Sequence, residues 1–449
     1  MVSKQWGLLA ASALVVVLAG CGKTEKESTE VKTETEKPAL TVESALAEMT
    51  KTPVELSLYE NANNYTQQMF DDLYGNLLKK KFPNLSVKLY SPAKESGGQT
   101  LTELVAAGVS LDLIKASGAT FYTLLVDNSL HDDVSDLIAK YNYDLNKFYP
   151  TVLTYMRSFG TGKEIYGIPN AVAATALFYN KDLFDKFGVQ YPKDGMTWDE
   201  VYELARKLTR KDGGVEYLGF QENISFLTIT NQLEQSFLDP KTNKPTINND
   251  RWKLFINNFA RFHEIDGNAM LSSYNNAMWQ EGRVAMAVGS SGGSWNFTYQ
   301  APFKWDLVEL PYFKEAPGKG SGLQVPFHAI SKTSKNRELA FLVAAYIASE
   351  PIQTEVAKNG YVPPIKIDNL SSILGTGDPH LAGKNIKAAV PLETAAKPFP
   401  TNGYQSLIAG YVNTAYREVA TGKKDVNTAL RDAEELAEKK LQEAMAAGK

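Results

Sequence analysis

Hydrophobic and polar positions change their spacing several times along the chain, and each change marks an element. Val54-Glu55-Leu56-Ser57-Leu58-Tyr59 alternates apolar with polar, the two-residue period of a strand. A polar loop, Glu60-Asn61-Ala62-Asn63-Asn64, follows, and over 65–81 the apolar residues Met69, Phe70, Leu73 and Leu77 recur on one helical face. A strand over 85–90, a helix over 101–107 and a strand over 111–116 continue the series. Strand and helix alternating in this way predict an open parallel sheet covered by helices. Ligands on such sheets bind outside the carboxyl ends of the strands, which directs attention to 60–64 and 117–120.

A second block of the same kind begins near Gly167. The apolar stretch 175–180 predicts a buried strand and 181–188 a short helix. Thr197-Trp198-Asp199-Glu200 is a capping box, Thr followed by Glu three residues later, opening a helix. Its apolar face is Val201, Leu204, Ala205 and Leu208, and Gly213-Gly214 marks its end. A strand over 283–288 runs into Gly289-Ser290-Ser291-Gly292-Gly293. Helices are predicted over 334–349 and from Asp425 to about Met445, and no internal repeat is visible.

The first residues read as an address. Lys4 precedes an uncharged run over 5–22, almost wholly apolar over 8–18, that closes on Leu18-Ala19-Gly20-Cys21. A basic start, a short apolar core and small residues describe a secretory signal over 1–20, and the run is too short and diluted for a retained span. Leu18 to Cys21 resembles the bacterial lipobox, which implies a lipid on Cys21, the sole cysteine. Residues 22–53 are rich in Lys, Glu, Thr and Ser and lack aromatics, the composition of a flexible tether. A short helix over 42–49 fits within it, with Val42, Ala45, Leu46 and Met49 on one face. A lipid and a spacer anchor a protein to a membrane without spanning it.

Composition narrows the chemistry. The chain has 449 residues, 43% hydrophobic and 22% charged, enough for two or three soluble lobes with real cores. A net charge of −4 provides no field for a polyanion, so nucleic acid is not an expected partner. With one cysteine and four histidines, none paired at ligand spacing, neither a metal centre nor a cofactor is expected. Gly289-Ser290-Ser291-Gly292-Gly293 matches the G-x-S-x-G of a serine nucleophile elbow, and Asp306, His328 and His380 follow it in order. An elbow leads directly into a helix, whereas this loop runs through Trp295 to Pro302. A small-residue loop that admits a ligand to the backbone fits better. A lipid-anchored hydrolase using Ser291 is the competing class. Gly160-Thr161-Gly162-Lys163 lacks the spacing of a phosphate loop. Asp71-Asp72 and Asp132-Asp133 read as solvated carboxylates. Trp295, on a polar glycine-rich loop, reads either as a flat platform for a polar ligand or as core.

Several segments resemble the family 1 extracellular solute-binding proteins, the maltose-binding-protein-like receptors of ABC importers. They are Gly162-Lys163-Glu164-Ile165-Tyr166-Gly167-Ile168-Pro169, Leu177 to Phe184, Thr197 to Glu200, and Glu281-Gly282-Arg283-Val284-Ala285-Met286. Ser331 to Leu339 and Gly360-Tyr361-Val362-Pro363 follow in the family's order. The resemblance implies a two-lobed α/β fold of the periplasmic-binding-protein type (type II), with a hinge and no catalytic residues. One lobe would take 54–170 with about 325–375, the other 171–324 with about 376–449. It implies a sugar or oligosaccharide held between the lobes, with an ABC permease as partner and a monomeric receptor on the outer face of the membrane. A surface sensor without transport has the same features. By resemblance the ligand residues are Glu60, Asn61, Asn63, Ser117, Thr120, Asn170, Gln221, Trp295, Gln324 and Tyr404. One departure stands out. Many sugar-binding members carry an Asp in the loop after the third strand, where this chain has Ser117-Gly118-Ala119-Thr120.

Overall fold

In the computed structural model, residues 41–94, 97–118, 120–160, 162–268, 276–290, 298, 301–390, 395–397 and 403–446 are described. Cys21, Ser291 and Trp295 lie outside them. The compact unit that carries the fold spans Leu40–Lys449.

Two sheets organise it. The strands, in chain order, are β1 (Val54–Glu60), β2 (Leu85–Tyr90), β3 (Leu113–Ala116), β4 (Gly167–Pro169), β5 (Thr175–Asn180), β6 (Arg210–Asp212), β7 (Val215–Tyr217), β8 (Met286–Ser290), β9 (Trp305–Glu309) and β10 (Phe327–Ile330). The first sheet has the order β2-β1-β3-β10-β4, the second β8-β5-β9, and β6 pairs with β7 alone. β1 runs parallel to β2 and β3, as the alternating pattern predicts.

β10, which the alternating pattern of the first three strands does not include, is antiparallel to both β3 and β4. The reason is the route of the chain. It leaves the first sheet at Pro169, builds the second sheet and returns through 321–326. The return enters from the edge where β4 left, so β10 must run the other way. The second sheet is antiparallel throughout its described strands, β5 against β8 and β9.

All six residues of β5 are buried, and they alternate between two cores. Leu177 and Tyr179 join the core of Trp198, Phe259 and Tyr416, while Ala176 and Phe178 join that of Trp279, Trp305 and Ala389. A strand covered on both faces reads as one apolar run, which is why 175–180 shows no polar alternation. A third core gathers β1–β4 and β10 with helix Arg337–Ile347.

Three boundaries differ from the sequence reading. The helix opened by the Thr197 capping box is Trp198–Leu208 and ends before the glycines. Thr209 turns extended, its hydroxyl donating to Ala205 O, and Gly213-Gly214 instead form the left-handed turn between β6 and β7. The strand predicted over 283–288 is displaced to Met286–Ser290, because Arg283 and Ala285 pair with Leu218 instead. The helix predicted over 65–81 starts at Gln67 and carries a π-turn over Asp71–Gly75.

The tether does not reach residue 53 as an unstructured spacer. Thr41 and Ser44 form a capping box for helix Val42–Met49, which buries Ala45 and Leu46 and packs on helix Arg337–Ile347. Asn84 then donates to the carbonyls of Thr50 and Lys51, fastening the turn into β1. Among the described residues no helix is long and apolar enough to cross a membrane.

Candidate functional site

The carboxyl ends of β1, β3 and β4 and the amino end of β10 share one edge of the first sheet. Across it Glu60 faces Lys115, Lys115 faces His328, and His328 faces Ile168. Glu60, Ser117 and Asn170 are thereby brought to the same edge from three separate stretches of sequence.

The loop after β1 is shaped by Tyr59, which is fully buried. Its hydroxyl accepts from Leu101 N (3.0 Å) and donates to Asn61 Oδ1 (3.2 Å), which orients the exposed Asn61 carboxamide. Asn63 is exposed beside it. Glu60 is 9% exposed, and its Oε2 lies 2.5 Å from Lys115 Nζ. The same ammonium stands 4.9 Å from the Tyr65 ring centre. His328, 1% exposed, is held neutral, its pKa pushed down to about 3 by burial and then by the Lys115 charge. Its Nε2 lies 3.3 Å from Asn170 Nδ2.

Asn170 itself is 1% exposed. Its carbonyl accepts from Gln353 Nε2 (3.0 Å) and the Tyr74 hydroxyl (3.4 Å). This residue is bonded into the interior of the first lobe at the point where the chain crosses. Ser117 and Thr120 close a tight turn: Ser117 N donates to Thr120 Oγ1 (3.0 Å), and Thr120 N and Phe121 N donate to Ser117 O. Thr120 therefore shapes the loop with the hydroxyl assigned to the ligand.

The loop has a partner that sequence reasoning missed. Gly118 N donates to the hydroxyl of Tyr155, from helix Pro150–Arg157, at 2.8 Å. A Cβ at position 118 would stand 2.3 Å from that oxygen, so glycine is required here by close approach.

Two segments cross between the sheets side by side. Ala173 and Gln324 exchange a pair of 2.8 Å backbone hydrogen bonds, and Val172 N donates to Val362 O. Gln324 is half-buried. Beyond the crossing, Thr175 faces Ser290 at the near edge of the second sheet, and Thr175 N donates to Ser321 Oγ (2.9 Å). Gln221, 4% exposed, lies alongside β8, its N–H donating to Met286 O and its carbonyl accepting from Val288 N. Tyr404 is half-buried against the second lobe's core, just before helix Gln405–Ala420. The structure thus gathers Glu60, Asn61, Asn63, Ser117 and Thr120 along one edge of the first sheet, with Asn170 and Gln324 on the crossings, and sets Gln221 beside β8 of the second sheet.

Among the described residues no group of three or more His, Cys, Asp or Glu could hold a metal ion. The carboxylate pairs have structural partners. Asp132 and Asp136 clamp Arg337, whose guanidinium also donates to the Asp133 carbonyl, and Asp71 and Asp72 accept from Gln67 and Gln68. Lys115 and His328 carried one signal that could have found them: each is a polar group inside an otherwise apolar stretch.

Two α/β lobes joined by paired crossings, with polar loops at the facing sheet edges, define a hinged solute-binding protein. The bacterial extracellular solute-binding protein family matches residues 59–354, and the chain belongs to it. The arabinooligosaccharide-binding protein of Bacillus subtilis is 26% identical over 290 residues, 61% of this chain and 65% of the relative. The sn-glycerol-3-phosphate-binding periplasmic protein of Brucella melitensis is 24% identical over 328 residues, covering 65% of this chain and 71% of that one. The match to the Bacillus protein spans less than two thirds of its length. Among solved structures, an ABC substrate-binding protein from Listeria monocytogenes in complex with cycloalternan superposes with a TM-score of 0.68 at 20% identity, over 87% of this chain and 99% of that one. Structures of this kind share the two-lobed fold.

Proposed function

We propose that this protein captures a neutral, polyhydroxylated solute, an oligosaccharide, between its lobes and delivers it to an ABC importer from the outer face of a bacterial membrane, held there by a lipid on Cys21. One observation carries the choice of solute. The loops at the facing edges supply amides, hydroxyls and aromatics, while the buried acid at the first sheet's edge is already paired, Glu60 with Lys115. An anion would meet no unpaired cation on the described loops, whereas a sugar needs donors, acceptors and flat apolar faces. Both kinds of solute occur in the names of the relatives, and the charge pairing favours the saccharide. The lipobox supports the anchor, and the family supports the importer.

A thermal-shift screen tests the solute class. A neutral arabino-, galacto- or malto-oligosaccharide at about 100 times its dissociation constant is expected to add about 2.7 kcal/mol to stability. Stabilisation by sn-glycerol 3-phosphate with none by any neutral saccharide would reverse the reading.

Trp295 is kept as the aromatic platform from its sequence context. Trp295→Ala is expected to weaken saccharide binding at least about tenfold with the fold intact, since removing a buried aromatic anchor often costs about 2 kcal/mol of binding. Calorimetric titration alongside a denaturant melt separates this from a core role. Unchanged affinity with a large loss of stability would place Trp295 in the core.

A further inference from the structure

Behind the Gln221 strand lies a polar cluster that contributes nothing directly to the cleft. His263 belongs to the turn Arg261–Glu264, and its side chain is 4% exposed against 10% for Glu222. Its Nδ1 sits 3.1 Å from the Asn268 carbonyl oxygen. Its Nε2 lies 2.8 Å from the hydroxyl of Tyr416 and 3.3 Å from Glu222 Oε1. Tyr416, on helix Gln405–Ala420, is fully buried, and Glu222 helps to raise its pKa.

Donor and acceptor rules favour protons on both ring nitrogens. A carbonyl only accepts, so Nδ1 carries a hydrogen. Nε2 stands between the Tyr416 hydroxyl and the Glu222 carboxylate, and an ionised carboxylate only accepts, so a hydrogen on Nε2 is satisfied there. A neutral ring protonated on Nδ1 would instead turn its lone pair toward Glu222. The arrangement therefore favours the imidazolium, with the phenol beside it.

The electrostatics agree. Burial lowers the His263 pKa, but the bond and charge of Glu222 and the Asn268 carbonyl outweigh it, and the net shift is upward. Burial and Glu222 raise Tyr416 well above the usual phenol range, with a small opposing effect from Arg417. Glu222 and Tyr416 are the titratable groups that face this histidine, and Arg417 acts on Tyr416 from the same helix.

The same stretch is gripped on its other flank. Asn268, 1% exposed, accepts from Phe220 N (3.2 Å) and donates to Phe220 O and Phe262 O, both at 3.1 Å. Gln221 therefore sits between two fixed neighbours, Phe220 and Glu222, while its own backbone is paired with β8. We propose that His263, Tyr416 and Glu222 form a buried charged relay that positions Gln221 at the cleft edge in a way that depends on the charge of His263. This rests on the reading of Gln221 as a cleft residue. All three are positioning residues.

The sign follows from the raised pKa. The folded state favours the protonated ring, so the contribution is complete below the ordinary imidazole value of about 6.5 and is lost as pH rises through the raised one.

The chain has four histidines, so ¹⁵N-histidine labelling of the full chain gives a spectrum in which each ring can be assigned. At pH 7 both ring nitrogens of His263 should be protonated, with a titration above that of an ordinary histidine. Tyr416→Phe and Glu222→Gln should each lower that titration by about one pH unit or more. The protection of the Gln221 amide against hydrogen exchange should fall at least tenfold in both, with the Leu177 amide of β5 unchanged as a control for global stability. A single neutral tautomer in the wild type at pH 7, or unchanged Gln221 protection in both variants, would overturn the relay. Neither measurement uses a solute, so the relay can fail while the binding function stands, and the reverse.

Discussion

Replacing Glu60 with alanine is expected to cost about 2–4 kcal/mol of stability, read as a lower midpoint in urea with an unchanged slope. Lys115 occupies a strand position between Glu60 and His328, its side chain 27% exposed against 11% for Glu60. Breaking a buried pair by removing one partner usually costs about 3–5 kcal/mol, because the remaining charge is left without compensation. The partial exposure of the lysine lowers that figure. No neighbour replaces the carboxylate: Tyr65 offers a ring face, and His328 is neutral. Glu60→Ala combined with Lys115→Met removes the stranded charge and should recover most of the loss, a non-additivity that only a direct pair produces. A single-mutant loss under about 1 kcal/mol would show that the pair is too well solvated to matter.

The second expected effect concerns Tyr155. Tyr155→Phe removes the acceptor of the Gly118 N–H. Burial raises the phenol's pKa to about 12, and the backbone N–H groups of Gly118 and Val325 hold it from rising further. A buried donor left unsatisfied costs about 1–3 kcal/mol. Gly118 is half-exposed and can take up water, so a total of about 2–3 kcal/mol is expected. The functional effect goes beyond stability. Tyr155 holds the Ser117–Thr120 turn through Gly118 and lies near the crossing that returns at Val325, so its loss should loosen that loop. Saccharide affinity should fall by about tenfold in Tyr155→Phe but not in a variant equally destabilised in the remote helix Val426–Ala446, such as Leu430→Ala. Leu430 is fully buried in the second lobe's core. Equal affinities in the two variants would show that the phenol serves the fold alone.

Much of this molecule can be read from local patterns. The alternation in Val54–Glu60, the capping box at Thr197 and the apolar face of Trp198–Leu208 each depend on contacts within a few residues, and each appears where the pattern puts it. Local periodicity also marks Thr175–Asn180 as buried, since a strand covered on both faces has no polar side to show. The order of family motifs carries the two-lobed fold, because it reflects the whole chain at once.

Strand direction is different in kind. Whether β10 runs with or against β3 depends on where the chain re-enters the sheet, and that depends on a crossing more than a hundred residues long. No local pattern encodes it. The same holds for the partners of the candidate site. Glu60 is a loop-edge acid in the sequence; only the pairing of β1 with β3 sets it against Lys115. Ser117-Gly118-Ala119-Thr120 reads as a loop that has lost an Asp, and only helix Pro150–Arg157 shows a phenol bonded to it. Sequence by itself determined which segments become strands and helices and which family they belong to, because those follow from near-neighbour periodicity and motif order. Tertiary structure alone decided which charges are neutralised and which loops share a sheet edge, because burial and pairing join residues that the chain keeps far apart.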